Sequence, residues 1–220
     1  MPEGIVLIAW PLLLVAAYLL GAIPTAQLVA ARRGIDLRQV HTTNVGAGNL
    51  SRHMGMRWGL LVALADVSKS FLPVTAANLL GFGPGAAGMV GVGAVVGHNW
   101  SIFMRGRSGR GLAPSAGLVL AIDPALLLWV MGWAISGWWM RGGIAGFMGW
   151  GLLPVVAVTL GRPSTETVMI VVLSAVLMIR RAQGNVDSEG GFGPTMERIF
   201  FDLDKVVDEI PLTIDEPLTP

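Results

Sequence analysis

The sequence predicts an all-α, polytopic integral membrane bundle of about seven transmembrane helices, N-terminus outside and C-terminus in the cytoplasm. Three observations carry that reading. The 220 residues are 53% hydrophobic and only 13% charged, about half the charge of a soluble domain, and the mean hydropathy is +0.65. Long apolar runs alternate with short segments rich in Gly, Pro and Arg. With the N-terminus outside, the cytoplasmic segments collect Arg32, Arg33, Arg38, Arg52, Arg57, Arg105, Arg107, Arg110, Arg141, Arg180 and Arg181, while the outer loops hold only Arg162.

Ile5 to Ala31 is the first expected span, bent by Gly21 and Pro24, with Pro11 near its start. Glu3, and no basic residue, precedes it, so it is expected to be a retained helix and not a cleaved signal. Arg32 to Arg57 is expected to be a polar loop. The second span is Trp58 to Leu80, closed by a turn at Gly81–Pro84–Gly85. The third is Ala86 to Met104, where Gly88, Gly91, Gly93 and Gly97 permit close helix approach. Leu112 to Ile122, Ala125 to Met140, Ile144 to Leu160 (with Pro154 inside) and Glu166 to Ile179 complete the bundle.

Charge divides the chain in two. Residues 1–181 carry thirteen Lys/Arg and five Asp/Glu, whereas residues 182–220 carry two and nine. Hence the expected organisation is a basic membrane body, 1–181, followed by an acidic cytoplasmic tail, 182–220. In the tail, Met196, Ile199, Phe200, Leu203, Val206, Val207 and Ile210 share one helical face. That amphipathic helix is expected to dock on its own bundle, with a protein partner as the alternative. Thr213 to Pro220 is expected to be disordered. Cysteine is absent, and the three His lack a paired carboxylate motif, so neither a disulfide nor a metal site is expected.

The stretch Gly97 to Gly117 organises the chain. It wedges His98, Asn99, Arg105, Arg107, Arg110 and a series of Gly and Ser residues between two apolar runs. Glycines let the main chain approach an oxyanion, and arginines supply planar two-donor recognition, so phosphate is the expected partner. Arginines that merely fix topology are the alternative, but they leave Gly106, Gly109 and Gly111 without a reason. A second polar constellation runs from Arg38 to Arg52 through Thr42, Thr43, Asn44, Gly46, Gly48 and Asn49. It can cradle an oxyanion with amides and hydroxyls, although Asn and Thr are also ordinary turn residues. Asp66 and Lys69 sit three apart in an apolar segment, either in the site or as an internal ion pair.

These motifs together resemble the bacterial acyl-phosphate:glycerol-3-phosphate acyltransferases, the PlsY family. The family's Ser-Gly-Asn-x-Gly-Ala-Thr-Asn run is matched by residues 42–49, with Arg38 and Arg52 on its flanking arginines. Gly21-Ala22-Ile23-Pro24 and Asp66-Val67-Ser68-Lys69 match two further motifs. Gly97-His98-Asn99-Trp100-Ser101 and Gly106-Arg107-Ser108-Gly109-Arg110-Gly111 match a Gly-His-x-Phe-Pro and Phe-Lys-Gly-Gly-Lys-Gly pair. The resemblance implies transfer of a fatty acyl group from acyl phosphate to the 1-hydroxyl of glycerol 3-phosphate, giving lysophosphatidic acid, without a cofactor. It implies that Arg107, Gly109, Arg110 and Gly111 bind glycerol phosphate. Thr42, Asn44, Gly46 and Asn49 would line the reacting phosphate and carbonyl, and His98 and Asn99 would orient the hydroxyl. Arg38, Arg52, Asp66 and Lys69 complete the substrate-binding set. The implied setting is the bacterial inner membrane, in contact with lipid, with the site facing the cytoplasm and no nucleic-acid partner.

The departures are specific. Thr42 stands for the motif Ser and Thr43 for its Gly; Arg107 and Arg110 stand for the two lysines. Arg141-Gly142-Gly143-Ile144 lacks the Ser of the corresponding turn, and only Arg180, Arg181 and Asn185-Val186 remain of a third motif. Two other readings therefore stand beside the enzyme: a non-catalytic paralogue that binds lipid phosphate, and a small-anion or lipid transporter.

Overall fold

The structure is a computed structural model that describes residues 3–140, 143–184 and 192–201. Every regular element among them is helical, as the composition predicts. In order these are α1 (Glu3–Ala22), α2 (Thr25–Ala31), α3 (Ala47–Met54), α4 (Met56–Leu79), α5 (Pro84–Asn99), α6 (Leu112–Ile122), α7 (Pro124–Met140), α8 (Ile144–Gly146), α9 (Leu153–Thr159), α10 (Ser164–Gln183) and α11 (Phe192–Phe201). A π-helical turn, Phe147–Gly151, joins α8 to α9. The expected turn at Arg141–Gly142, the motif remnant Asn185–Val186, the tail-helix residues Leu203, Val206, Val207 and Ile210, and Thr213 to Pro220 lie outside the described residues.

Helices α1, α4, α5, α6 and α10 form the body. Its core includes Val74, Val90, Val95, Leu118, Ile170 and Leu173, and Leu126 of α7 packs into it. The outward faces are as apolar as the inside: Ile8, Leu12, Leu61, Leu64, Leu128, Ile135, Val158 and Val168 are all exposed. Water would penalise such a belt, whereas hydrocarbon does not. Residues Ile8–Ala31 and Met56–Leu79 are each long and apolar enough to cross a bilayer; Leu112–Ile122, Pro124–Gly137 and Ile144–Thr159 are shorter apolar helices.

The small residues of α5 act as expected. A methyl added at Gly97 would collide with the Tyr18 carbonyl, and one at Gly21 with that of Ala94, so the α1–α5 seam closes backbone to backbone.

Five expectations change in detail. The first span breaks at Pro24 into α1 and α2. The carbonyls left there are taken up by other parts of the chain: Lys69 Nζ donates to Ile23 O at 2.6 Å, and Ser101 Oγ donates to Ala22 O. The third span stops at Asn99, not Met104, because Ser101 turns back to make that bond; Ile102–Met104 form a 3-10 turn. The polar loop 32–57 contains α3, which has Gly46 as its N-cap and buries Leu50 in a second core with Val45, Leu37, Ala26, Ala30, Val62 and Met104. The sixth span carries the π-turn. Pro154 lacks the N–H that would bond Trp150 O, and Ser174 Oγ donates to that carbonyl at 2.8 Å instead. Helix α10 is longer than expected at both ends and carries Arg180 and Arg181 in its last turn.

Candidate active site

The second core brings the two polar constellations together. Met104, from the turn after α5, packs with Leu37, Val45 and Leu50 of the first loop, so both segments rest on one apolar floor at the same end of the bundle. Neither loop has enough apolar contacts of its own to hold itself; the shared floor fixes them.

The glycine-rich turn is built in steps. Arg105 and Gly106 adopt left-handed backbone (φ 54° and 76°), and Gly106 N–H donates to Ser101 O at 2.8 Å. Gly109 N–H donates to His98 O at 3.2 Å. A methyl at Gly109 would run into His98 Nε2, so only glycine lets the main chain lie on the imidazole. Gly111 (φ 75°) is the N-cap of α6, and a methyl there would press on Asn99 Oδ1. From this turn Arg107 is exposed and Arg110 half-buried, while Ser108 and Gly109 are buried.

Beneath the turn lies a buried ionic group. Lys69 Nζ pairs with Asp66 Oδ1 at 2.6 Å, and Thr25 Oγ1 donates to the same carboxylate oxygen at 2.6 Å. His98 Nδ1 lies 3.8 Å from Asp66 Oδ1. Thus His98 is interposed between the ion pair below and Gly109 above. Lys69 also reaches Ile23 O, so the pair is tied to the break between α1 and α2. His98 is 6% exposed and Asn99 0%, and the Asn99 amide has no hydrogen-bond partner at either atom.

In the first constellation Asn49 is the organiser. Its Nδ2 lies 3.0–3.1 Å from the carbonyls of Leu37, Val40 and Asn44, folding the loop around one amide. Its Oδ1, like Asn44 Oδ1 and Thr43 Oγ1, is buried without a protein partner. Left-handed backbone at His41 and Thr43 (φ 46° and 54°) turns the chain sharply around the half-buried Thr42. Gly46 is buried in extended backbone ahead of α3. Arg38 pairs with Asp36 at 2.7 Å; the guanidinium holds the Asp36 carboxyl below the usual carboxylate range. Arg52 is exposed on α3.

Sequence reasoning assigned Arg180 too small a part. Its Nε donates to Gly109 O and its Nη2 to Ser108 O, both at 3.0 Å, and its Nη1 to Gly184 O at 2.6 Å. This one side chain ties the end of α10 to the glycine-rich turn. Trp100 Nε1, donating to Gln183 Oε1 at 2.8 Å, makes a second tie. The signal available in sequence was two adjacent arginines ending an apolar helix, which reads equally well as a positive-inside flank.

The fold and this site define a class: a body that is all-helical among the described residues, with an apolar exterior, carrying a glycine- and arginine-rich turn at one end. The sequence matches the profile of the family described as glycerol-3-phosphate acyltransferase over residues 11–188. The chain belongs to the glycerol-3-phosphate acyltransferase family. A glycerol-3-phosphate acyltransferase of Thermus thermophilus is 38% identical over 177 residues, which are 76% of this chain and 84% of the relative. Glycerol-3-phosphate acyltransferase 1 of Deinococcus radiodurans is 36% identical over 188 residues, 82% of this chain and 95% of the relative. Among solved structures, the glycerol 3-phosphate form of PlsY, an integral membrane glycerol 3-phosphate acyltransferase, superposes with a TM-score of 0.74 at 30% identity. The match covers 80% of this chain and 89% of that chain. The lysophosphatidic acid form of the same enzyme gives 0.71 at 27% identity.

Proposed function

We propose that the chain is a membrane acyltransferase that moves a fatty acyl group from acyl phosphate to the 1-hydroxyl of glycerol 3-phosphate, giving lysophosphatidic acid for phospholipid synthesis. The observation that carries this reading is the glycine-rich turn laid on His98 and pinned by Arg180, with Arg107 and Arg110 projecting from it. In the transfer, glycerol O1 forms a bond to the acyl carbon and the bond from that carbon to the phosphate oxygen breaks. The phosphate leaves with the electron pair, and the hydroxyl proton ends on it as hydrogen phosphate. Catalysis then rests on positioning and on stabilising the charge that develops on the carbonyl and the leaving group.

Arg107 and Arg110, with the main chain of Gly109 and Gly111, would hold the glycerol phosphate. Thr42, Asn44 and Gly46 would line the reacting carbonyl and phosphate. The unpartnered oxygens of Thr43, Asn44 and Asn49 give that loop polar capacity that the protein itself does not use. Asn49, through its occupied Nδ2, would shape the loop as well as line it. His98 and Asn99 would act from beneath, with Asp66 and Lys69 behind them, and Arg38 and Arg52 would add positive charge at the rim.

The body, 1–181, would span the bacterial inner membrane about seven times, with its N-terminus outside. The site and the acidic segment 182–220 would face the cytoplasm. The arginine distribution supports this orientation. A cysteine placed at Arg33 should resist an impermeant thiol reagent in intact cells; labelling from outside would overturn it. For the reaction, purified protein in detergent would be given acyl phosphate and glycerol 3-phosphate and assayed for lysophosphatidic acid. Binding of lysophosphatidic acid without turnover would favour the non-catalytic paralogue.

A further inference from the structure

Gln27 is a polar amide inside an apolar run, flanked by Ala26, Leu28, Val29 and Ala30 on α2. It belongs to neither constellation of the site. An amide in such surroundings needs partners, and Gln27 finds both on the first polar loop. Its Nε2 donates to Ile35 O at 3.1 Å, and its Oε1 accepts from Leu37 N–H at 3.0 Å. The side-chain amide thus lies along residues 35–37 as a neighbouring strand would, giving one bond and taking one. Leu37 passes the constraint on. Its side chain is fully buried in the second core with Ala26 and Ala30 of α2, and its carbonyl accepts from Asn49 Nδ2 at 3.0 Å. All three groups of that residue are therefore committed, two of them to the amides of Gln27 and Asn49.

The consequence falls on Asn49. Its Nδ2 carries two hydrogens and faces three carbonyls, those of Leu37, Val40 and Asn44, at 3.0–3.1 Å. The amide plane is a compromise among the three, so a shift of Leu37 O rotates it and loosens its hold on the other two. One of those two belongs to Asn44, whose own side-chain oxygen, like that of Asn49, is buried without a protein partner. We propose that Gln27 is a positioning residue for the first polar loop: through the Leu37 peptide it sets the Asn49 amide, and with it the shape of the loop that lines the reacting carbonyl and phosphate. The proposal rests on the acyltransferase reading above. Arg107 and Arg110 stand on the other turn, so the effect belongs to the acyl phosphate and not to the binding of glycerol 3-phosphate.

The test is made on the full chain in detergent, by steady-state assay and by calorimetric titration with a non-transferable long-chain acyl phosphonate. Gln27→Met keeps the length of the side chain and removes both bonds. It should lower kcat about tenfold or more and leave the KM for glycerol 3-phosphate within about twofold. Gln27→Glu still accepts from Leu37 N–H and should recover part of the loss. In an Asn49→Ala background Gln27→Met should add less than about twofold. Unchanged kcat in Gln27→Met would overturn the role of Gln27 and leave the reaction standing. An equal rise in the glycerol 3-phosphate KM, or full additivity with Asn49→Ala, would overturn it too. If Gln27→Met fails to fold, Gln27→Glu decides: a smaller loss confined to kcat supports the proposal, and no loss overturns it. Wild type that binds the phosphonate without making product would overturn the reaction. Gln27→Met would then be read by phosphonate affinity, expected to fall about fivefold, and no change would overturn the role of Gln27. Neither product nor phosphonate binding in wild type would overturn both.

Discussion

Arg180 donates to the carbonyl of Gly109, a residue 71 positions earlier in the chain, and the two are 3.0 Å apart. That bond, with its neighbour to Ser108, makes the last turn of α10 a structural part of the glycine-rich turn. Removing the side chain strands three carbonyls, those of Ser108, Gly109 and Gly184, two of them on buried residues of that turn. Each lost partner costs about 1–3 kcal/mol. We expect Arg180→Ala to lower kcat/KM by about 10²-fold or more in the acyl phosphate assay, and Arg180→Lys to recover little, because one ammonium cannot span the same fork.

Gly109→Ala should inactivate without unfolding. The added methyl meets His98 Nε2, while the Gly109 N–H is held to His98 O, so the turn has no direction in which to retreat. Overpacking of this kind costs about 1–3 kcal/mol, enough to displace a loop but not to melt a bundle. Thermal unfolding near that of wild type, together with turnover below a few per cent, is the expected pair of results.

The buried pair of Asp66 and Lys69 predicts an asymmetry. Lys69→Met leaves the carboxylate without its cation and Ile23 O with only the Thr25 N–H as donor, and should cost about 3–5 kcal/mol. Asp66→Asn combined with Lys69→Met removes both charges and should be less damaging than Lys69→Met alone. Denaturation in mixed detergent micelles measures both; equal damage in the two variants would show that the Ile23 cap, not the charge, dominates.

The arginines of the turn should separate by role. Arg107→Ala and Arg110→Ala are each expected to raise the KM for glycerol 3-phosphate about tenfold or more, the loss of one charge-assisted phosphate contact being about 1.5–3 kcal/mol. Arg105→Ala, exposed like Arg107 and as basic but at the start of the turn, should leave it within about twofold. Equal effects from all three would mean that they act only through the overall field.

Much of this architecture was legible from hydropathy, because an apolar run of spanning length admits few structures other than a helix. The polar stretches were legible as well, since Gly106, Gly109 and Gly111 among arginines have no role in a plain hydrophobic helix. Helix α3 was missed: eight residues with Leu50 as their one deeply buried large apolar side chain leave too weak a period to distinguish from a turn. The π-turn was missed because Pro154 announces a disturbance but not its repair, which comes from Ser174 on another helix. The tasks of Arg180 and Gln27 depend on which backbone groups lie opposite them, and backbone groups carry no signature in sequence.

The break at Pro24 bears on how the protein is made. The carbonyl of Ala22, the last residue of α1, and that of Ile23 just after it accept from Ser101 and Lys69, 79 and 46 residues further on, and Thr25 N–H also donates to Ile23 O. During synthesis the first helix is therefore made before the side chains that finish this end, and its Ala22 carbonyl must borrow water until the chain has reached Ser101. Insertion intermediates stalled before residue 101 should leave that end open to solvent exchange, and they should close it only once the chain beyond Ser101 has left the ribosome.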